Sequence, residues 1–428
     1  MIASYLSLKD VLKCHRVSRQ WHVMLSSDPS LYTEIDLLGA IRPLRMESVQ
    51  ALIRYSRGRV RKLQMPRPDV TFSPQCFRVD DKAASLKVKN VSNAHLKPLF
   101  EGLERLHISE TRHTTPLQFA NPERANMLFL IPGFPSANLR HLDLEFLLSM
   151  EQVIDICTAT PELEFFALVF YQRLSGPKDQ DTRFPSVKSL VIRTRHGGTY
   201  HFIHPLLEWF PNVDDFSYWP NMALPPGDIH SMLEIVFENP NLKTLRITPS
   251  GCVAVDVRSE TLRVLHISFS TTLRSLHIPV QRFLEELQIE SLPLLGPLCF
   301  FHCPLNFFER IHESASTLRR LTISISPKFD VTHVEYFLRH ATRLEFVKLQ
   351  SVNKVNDSTL ELLGARKRLK ELWVDDCPGI TGVGLIRLIK AIAVGARGKL
   401  RSVSAIGNES IRRQTIDWAR EMGVIIDA

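Results

Sequence analysis

Four side chains that can bind zinc occur in one short segment, CFFHCPLNFFERIH, which spans residues 299–312. They are Cys299, His302, Cys303 and His312. Structural zinc sites use cysteine and histidine, but in tetrahedral sets with regular spacing between the ligands. The spacing here fits no such set, and the intervening phenylalanines indicate a buried core segment. We therefore expect no metal at this segment.

Signatures of catalysis are missing from the rest of the chain. The sequence contains no Walker loop, no G-x-S-x-G and no H-E-x-x-H. The glycines of GITGVG (379–384) stand in the order G-x-x-G-x-G, which favours a structural turn over a nucleotide loop. We expect no cofactor and no enzymatic activity.

A run of basic residues occupies the segment RYSRGRVRKLQ, residues 54–64. It contains Arg54, Arg57, Arg59, Arg61 and Lys62. Such a run can bind nucleic acid or direct nuclear import, but it is more often a solvated loop leading into a strand. We favour the loop and expect no nucleic-acid partner.

Composition sets the broad class of the protein. The chain has 428 residues, of which 44% are hydrophobic and 23% charged, and its net charge of +8 is compatible with acidic partners. Seven cysteines, an odd number without paired spacing, favour a reducing compartment. No signal-peptide pattern stands at the N-terminus, and the longest apolar runs are far shorter than a membrane span. We expect a cytoplasmic or nuclear protein, or one present in both, without a membrane partner.

The pattern L-x-x-L-x-[LIV] recurs through most of the chain. Strong copies are LERLHI (103), LRHLDL (139), LEFFAL (163), VKSLVI (187), LKTLRI (242), LRVLHI (262), LRSLHI (273), LEELQI (284), LRRLTI (318), LEFVKL (344) and LKELWV (369). Weaker copies are VRKLQM (60), VDDFSY (213) and LRSVSA (400). The usual step of 20 to 36 residues is typical of repeats of variable length. The 11-residue steps from 262 to 273 and from 273 to 284 indicate that one of these copies is degenerate.

Each copy predicts a short strand whose hydrophobic positions 1, 4 and 6 face a common core. A strand of this kind is stable only when it stacks on its neighbours. The pattern therefore predicts one continuous parallel sheet from residue 60 to about residue 405. The residues expected to be deeply buried are Leu106, Leu142, Leu190, Leu245, Leu265, Leu276, Leu287, Leu321, Val347 and Leu372.

Segments between the strands predict helices and irregular connections on the other side of the sheet. VGLIRLIKAIAV places Leu385, Leu388, Ile389 and Ile392 on one helical stripe. Near the C-terminus, NESIRRQTIDWAREMGVII predicts a helix ended by Gly423, followed by a short strand that caps the repeats.

The N-terminal segment SLKDVLKCHRVSRQWHVMLSSDPSLYTEIDL, residues 7–37, predicts two short helices. Ser7 and Asp10 form a capping box, and Ser18 is a second N-cap followed by an apolar face that includes Trp21. Pro29 ends the second helix, because the residue before a proline is disfavoured in the α region. Helices this short need a partner surface to bury a tryptophan.

Taken together, these segments resemble a known family. YLSLKDVLKCHRVSRQWHVMLSSDPSLY resembles the second and third helices of the F-box of SCF-type ubiquitin-ligase substrate receptors. LWVDDCPGITGVGL (372–385) resembles the cysteine-containing leucine-rich repeats that often follow an F-box, including in fungal proteins of this group. The matching positions are Leu372, Val374, Cys377, Ile380, Thr381, Gly384 and Leu385.

The resemblance implies an α/β fold in which a small helical F-box precedes a leucine-rich-repeat horseshoe with a parallel concave sheet. We place the F-box at residues 1–37 and the repeat domain with its C-terminal cap at residues 38–428. By position, the residues expected to contact a Skp-type adaptor, and through it a cullin, are Leu6, Leu8, Val11, Leu12, Val17, Trp21 and Leu25. Only MIASYL remains of the family's first helix, so we expect adaptor binding to be weak or absent.

Three other interpretations of the N-terminal hairpin remain open. Its apolar residues could be only a core packed on the first repeat. The F-box remnant could no longer bind the adaptor, which would leave a protein-interaction scaffold. Arg16, Arg19, Gln20 and His22 could also face DNA in a helix-turn-helix, although a repeat domain is an unusual companion for that module.

Outward positions of the middle strands are basic and indicate a surface for substrate. They are Lys243, Arg246, Arg263, His266, Arg274 and His277, with Arg319 and Arg320 in the next copy. Equivalent positions of stacked strands align in columns, so we expect Arg246, His266 and His277 to form one column. Such a surface suits an acidic or phosphorylated protein segment, unless acidic neighbours such as Glu260, Glu285 and Glu286 neutralise it.

Overall fold

The structure is a computed structural model of the chain. It describes residues 18, 20, 23, 34–36, 60–66, 104–109, 138–148, 150–170, 183–194, 207–220, 233–237, 239–248, 252–269, 273, 275–277, 282–291, 315–324, 331–352, 354–395 and 400–427. The chain divides into two compact units. One comprises Met1–Leu174 with Asp181–Arg195, and the other comprises Ser175–Gln180 with His196–Ala428.

The first unit contains parallel strands that neighbour one another in chain order. They are β1 (Glu34–Asp36), β2 (Lys62–Pro66), β3 (Arg105–Ser109), β4 (His141–Leu148), β5 (Phe165–Phe170) and β6 (Ser189–Thr194). Helix α1 (Met150–Ala159) follows β4 and buries Val153, Ile156 and Cys157.

The second unit contains the remaining strands of the described chain. They are β7 (Asp215–Pro220), β8 (Leu233–Phe237), β9 (Thr244–Ile247), β10 (Cys252–Val257), β11 (Val264–Ser268), β12 (Ser275–His277), β13 (Glu286–Glu290), β14 (Arg320–Ser324), β15 (Phe346–Gln350), β16 (Glu371–Trp373), β17 (Ser402–Ser404) and β18 (Ile425–Asp427). Its main sheet has the parallel order β7-β9-β11-β13-β14-β15-β16-β17-β18, and β12-β10-β8 form a separate parallel sheet.

Helices connect the strands at the C-terminal end of the second unit. They are α2 (Val331–His340), α3 (Asp357–Gly364), α4 (Gly382–Gly395) and α5 (Arg413–Glu421). Consecutive helices of this set contact each other, so they form a layer beside the strands. The described chain is thus α/β, with large parallel sheets built from repeated strands.

The hydrophobic positions of the repeats form the core as the pattern predicted. Nine of the ten residues expected to be buried are at most 3% exposed: Leu106, Leu142, Leu190, Leu245, Leu265, Leu287, Leu321, Val347 and Leu372. Strands β11 and β13 alternate between buried and partly exposed residues, because successive side chains of a strand point to opposite faces.

The predicted helical stripe and C-terminal cap are also confirmed. Leu385, Leu388, Ile389 and Ile392 of α4 are all buried. Helix α5 ends at Glu421, Gly423 has a φ of +79°, and β18 follows and pairs with β17. Glycine tolerates this left-handed conformation because it has no Cβ.

The predicted copy LRSLHI at residue 273 is not part of the main sheet. Strand β11 pairs directly with β13, whereas β12 pairs with β10 in the separate sheet. Leu276, whose side chain lies outside the described set, is therefore on a different sheet from Leu265. The prediction was wrong here because the hexamer specifies a strand with one apolar face and leaves its neighbours undetermined.

A residue with positive φ follows several strands of the main sheet. Phe269, Ser291, Ser351, Asp376 and Gly407 have φ between 50° and 79° and hold equivalent register positions. Each of the first four donates its backbone N–H to the next strand, for example Ser351 to the carbonyl of Asp375 at 2.9 Å. The left-handed residue thus turns the chain while the ladder of hydrogen bonds continues.

Candidate functional site

The outward side chains of the main sheet in the second unit lie in three rows. We call position 2 of each hexamer the entry row, position 3 the third-position row and position 5 the central row. In register, the central row contains Ser217, Arg246, His266, Gln288, Thr322, Lys348 and Trp373. These rows form the polar face of the sheet, opposite the buried leucines.

The entry row carries a charged residue in every repeat of this unit. It runs Asp214, Lys243, Arg263, Glu285, Arg319, Glu345, Lys370 and Arg401. Opposite charges meet between neighbouring strands: Arg319 lies 3.9 Å from both Glu285 and Glu345, and Lys370 bonds Glu345. The bond to Lys370 lowers the pKa of Glu345. Opposite charges on neighbouring strands stabilise their pairing, so these ion pairs favour the neighbours β13–β14, β14–β15 and β15–β16.

Two of the predicted substrate residues belong to this ladder. Lys243 Nζ lies 2.9 Å from the Asp214 carboxylate, and Arg263 lies 3.8 Å from Glu285. Both side chains are more than half exposed, but their charges already have partners within the protein. Whether they contact a substrate stays a prediction.

Two of the three basic residues of the central row also face carboxylates. Arg246 donates to Asp215 at 2.8 Å, and His266 Nε2 lies 3.1 Å from Glu286 Oε1. Burial raises the pKa of Asp215 despite the nearby guanidinium. The contact with His266 is the main cause that lowers the pKa of Glu286, and Arg320 acts in the same direction. The outward positions thus carry both signs of charge.

The predicted column is correct for Arg246 and His266 and wrong for His277. Arg246 and His266 are register partners on β9 and β11, but the next residue in that row is Gln288. His277 is the register partner of Asp256 in the separate sheet. Arg274 lies outside the described residues.

A second group of charged residues lies on the first unit. Asp143 accepts a hydrogen bond from Arg193 at 2.8 Å and contacts His107 Nδ1 at 2.9 Å. His141 stacks on Phe165 with ring centroids 3.9 Å apart, and burial lowers the pKa of its imidazole. The carboxylate of Asp143 on β4 therefore contacts side chains of β3 and β6, with β5 lying between β4 and β6, and is not free for chemistry.

Aromatic and cationic side chains alternate on β14, β15 and β16. The guanidinium of Arg320 lies 4.6 Å from the ring centroid of Phe346, and Lys348 Nζ lies 5.2 Å from that of Trp373. We call these four residues the aromatic–cationic cluster. Phe346 and Lys348 were not predicted from the sequence, although Lys348 holds position 5 of LEFVKL, the position of Arg246 and His266 in their hexamers, and Phe346 holds the outward position 3.

The two cysteines whose side chains the structure describes are not reactive thiols. Cys157 and Cys377 are both free and buried. Burial raises the pKa of Cys377 to about 11 and that of Cys157 further, so both remain protonated near neutral pH. The thiolate is the reactive form of cysteine.

The residues that the structure describes contain neither a metal-binding cluster nor a membrane-spanning helix. No group of three or more histidine, cysteine, aspartate or glutamate residues there could hold a metal ion. The segment with Cys299, His302, Cys303 and His312 lies outside them. No helix among the described residues has both the length and the apolarity needed to cross a bilayer.

The side chains expected to contact the adaptor, from Leu6 to Leu25, also lie outside the described residues. In this segment the structure describes Ser18, Gln20 and Val23, of which Gln20 and Val23 are helical and Val23 is 60% exposed.

A family described as F-box-like matches residues 1–38, so the chain carries an F-box-like domain at its N-terminal end. No curated protein matches the chain.

Proposed function

We propose that this chain is the substrate-recruiting subunit of an SCF-type ubiquitin ligase. The observation that carries the proposal is an F-box-like domain at residues 1–38, followed by repeated parallel strands with an outward polar face. The F-box would bind a Skp-type adaptor and through it a cullin, while the repeats would bind the protein to be modified. The chain itself would not be an enzyme, and it would act in the cytoplasm, the nucleus or both.

Contacts between the last repeats support a leucine-rich-repeat architecture. Cys377 and Asn408 occupy the ninth position of LKELWVDDC and LRSVSAIGN, where leucine-rich repeats place cysteine or asparagine. Asn408 Oδ1 accepts from the backbone of Cys377 at 2.7 Å, and its Nδ2 donates to the carbonyl of Val374 at 2.6 Å. A buried amide at this position thus bonds the backbone of the preceding repeat.

Such a subunit contributes to catalysis through effective concentration. Holding a target and a ligase in one assembly makes their encounter intramolecular, which replaces a low cellular concentration by a much higher local one. This role requires two binding surfaces and no catalytic side chain. The F-box-like domain and the polar face are our candidates for the two surfaces.

Co-purification with a Skp-type adaptor tests the proposal. We expect residues 1–428 to retain the adaptor weakly, and the variant Leu8→Asp/Leu12→Asp to lose it, because both leucines belong to the expected contact set. A circular-dichroism melting curve of the variant controls for folding. Equal adaptor recovery with both chains, or none with either, would contradict the ligase function. Capture of other proteins without the adaptor would favour a scaffold.

The protein to be modified is proposed to carry an acidic or phosphorylated segment. The positive net charge of +8 and the basic residues at outward positions support this class of partner. Charge reversal of Arg246 and Arg263 tests whether these two residues bind the acidic or phosphorylated segment. Because each has a carboxylate partner, the variant needs a melting curve beside the substrate co-purification.

A further inference from the structure

The aromatic–cationic cluster contains a cation without an acidic partner among the described residues, which sets it apart from the other basic residues of the central row. Arg246, His266 and Arg320 each lie within 4.0 Å of a carboxylate. Lys348 has no such neighbour among the described residues, and its ammonium instead lies over the ring of Trp373. A carboxylate brought by another molecule could therefore pair with Lys348 without displacing an internal partner.

The same cluster exposes aromatic surface. Trp373 is 38% exposed although it lies in the central row, and Phe346 is its neighbour at a ring-centroid distance of 6.2 Å. Tryptophan, arginine and other large side chains of this kind dominate the binding energy at protein interfaces. A tryptophan that packs against a lysine stem and another ring is also partly preorganised, which reduces the entropy lost on binding.

The strands beneath the cluster are held by buried hydrogen bonds. Asp375, two residues after Trp373, accepts from Ser404 Oγ at 2.7 Å and from the backbone of Ile406 at 2.9 Å. Leu372 and Val347, on the opposite face of the same strands, are fully buried. The cluster therefore lies on rigid elements, which hold a binding surface more precisely than loops do.

The positions of the charges limit how a partner can lie. Glu371 is exposed and is the register partner of Phe346 in the third-position row, so an incoming carboxylate is disfavoured there. In the central row, Lys348 and Trp373 are neighbours across adjacent strands, which lie about 4.8 Å apart. Consecutive Cα atoms of a bound chain are about 3.8 Å apart, so one residue can reach Lys348 while the next packs on Trp373.

We infer that the aromatic–cationic cluster binds an acidic protein segment in which an aromatic side chain is flanked by carboxylates. A carboxylate of the segment pairs with Lys348, and its aromatic ring packs on the exposed part of Trp373 between Phe346 and the lysine stem. Arg320, which is paired with Glu286, lies over the ring of Phe346 at the edge of the same surface. This inference deepens the proposed function, on which it rests for the role of the bound segment, by naming the class of substrate segment and the residues that bind it.

Fluorescence anisotropy with three labelled peptides tests the inference on the whole chain. The first peptide has a phenylalanine flanked on each side by two aspartates. The second replaces the phenylalanine with serine, and the third replaces the aspartates with asparagines. We expect the first peptide to bind at least about tenfold more tightly than the others, because only it supplies both contacts. Equal binding of all three, or no binding of the first at millimolar concentration, would overturn the inference.

Variants of the chain identify the surface. Lys348→Gln and Trp373→Ala should each weaken the affinity of the chain for the first peptide by about tenfold or more. Two matched control variants, Trp219→Ala and Lys390→Gln, should leave this affinity unchanged. Trp219 is 37% exposed on β7, and the ammonium of Lys390 lies 5.6 Å from the ring centroid of Trp418. If the controls weaken binding as much as the cluster variants do, the cluster is not the site.

The peptide assay and the adaptor assay test two separate proposals, and a negative result in one does not imply a negative result in the other. Adaptor binding without peptide binding would leave the proposed function standing and refute the assignment of the cluster. Peptide binding without adaptor binding would keep the cluster as an interaction site and refute the ligase function. A melting curve for each variant ensures that a loss of binding is not a loss of folding.

Discussion

The backbone N–H of Cys377 donates a 2.7 Å hydrogen bond to Oδ1 of Asn408, its register equivalent in the next repeat. Asn408 is 6% exposed, and its Nδ2 donates to the carbonyls of Val374 and Ala405 at 2.6 and 3.0 Å. One amide thus satisfies a donor and an acceptor of the preceding repeat.

The variant Asn408→Ala should lower the free energy of unfolding by about 1–3 kcal/mol, because it leaves buried backbone groups of Cys377 and Val374 without partners. Urea denaturation of the whole chain measures the change. Glu409→Ala removes an exposed neighbouring side chain and should leave the urea midpoint of unfolding equal, within error, to that of the unchanged chain. A midpoint for Asn408→Ala equal to that of the control would contradict the importance of this contact.

Leu372→Ala should lower the free energy of unfolding by about 2–5 kcal/mol, because it leaves a cavity at a fully buried position of β16. Glu371→Ala changes an exposed side chain on the same strand and is the matched control. Thermal and urea denaturation give the comparison. If both variants unfold at the same temperature and urea concentration as the unchanged chain, Leu372 does not belong to the core.

Gly384→Ala should destabilise the first turn of α4. A Cβ at this position would lie 2.1 Å from Oδ1 of Asp357, which accepts the backbone N–H of Thr381 at 2.8 Å. Accommodating it costs about 1–3 kcal/mol, as overpacking does elsewhere. Since Asp357→Ala removes the obstructing carboxylate, the double variant should be less destabilised than the sum of the single variants. Strict additivity in urea denaturation would exclude the clash as the cause.

Stability should depend on pH through Glu286. Contact with His266 lowers the pKa of this carboxyl from its ordinary value of 4.5. Its ionised form therefore stabilises the folded chain above pH 4.5, and this contribution is lost as the pH falls through the lowered pKa. Glu286→Gln should be less stable than the unchanged chain at pH 7, and the difference should shrink below pH 4.5.

Urea denaturation at a series of pH values measures this difference. Glu260→Gln removes an exposed carboxyl that has no ion-pair partner within the described chain, so its effect should be small at every pH. A stability difference for Glu286→Gln that does not change with pH would rule out the ionic contact as its source.

Cys377 should resist thiol reagents in the folded chain. Burial raises its pKa to about 11, so the thiolate is scarce at pH 8, and the sulfur is inaccessible. Mass spectrometry after brief exposure to iodoacetamide should find Cys377 unlabelled in buffer and labelled in denaturant. Rapid labelling of Cys377 in buffer would contradict its burial at the interface between repeats.

The sequence by itself determined where the strands with the hexamer pattern are and which side chains most of them bury. Leu245, Leu265, Leu321 and Val347 were predictable because alternation along a strand is a local property, and six residues suffice to show it. The helical stripe of α4 and the glycine after α5 were readable for the same reason. In both cases, neighbouring residues decide the conformation of the backbone.

Only the tertiary structure decided which strands are neighbours. LRVLHI and LRSLHI have almost the same sequence, yet β11 joins the main sheet and β12 pairs with β10. Pairing depends on how distant segments pack together, and the hexamer carries no information about that. The same holds for the polar face, where the partners of Arg246, His266 and Lys348 come from other strands. Whether a charge there is neutralised or available to a partner is therefore set by the order of the strands.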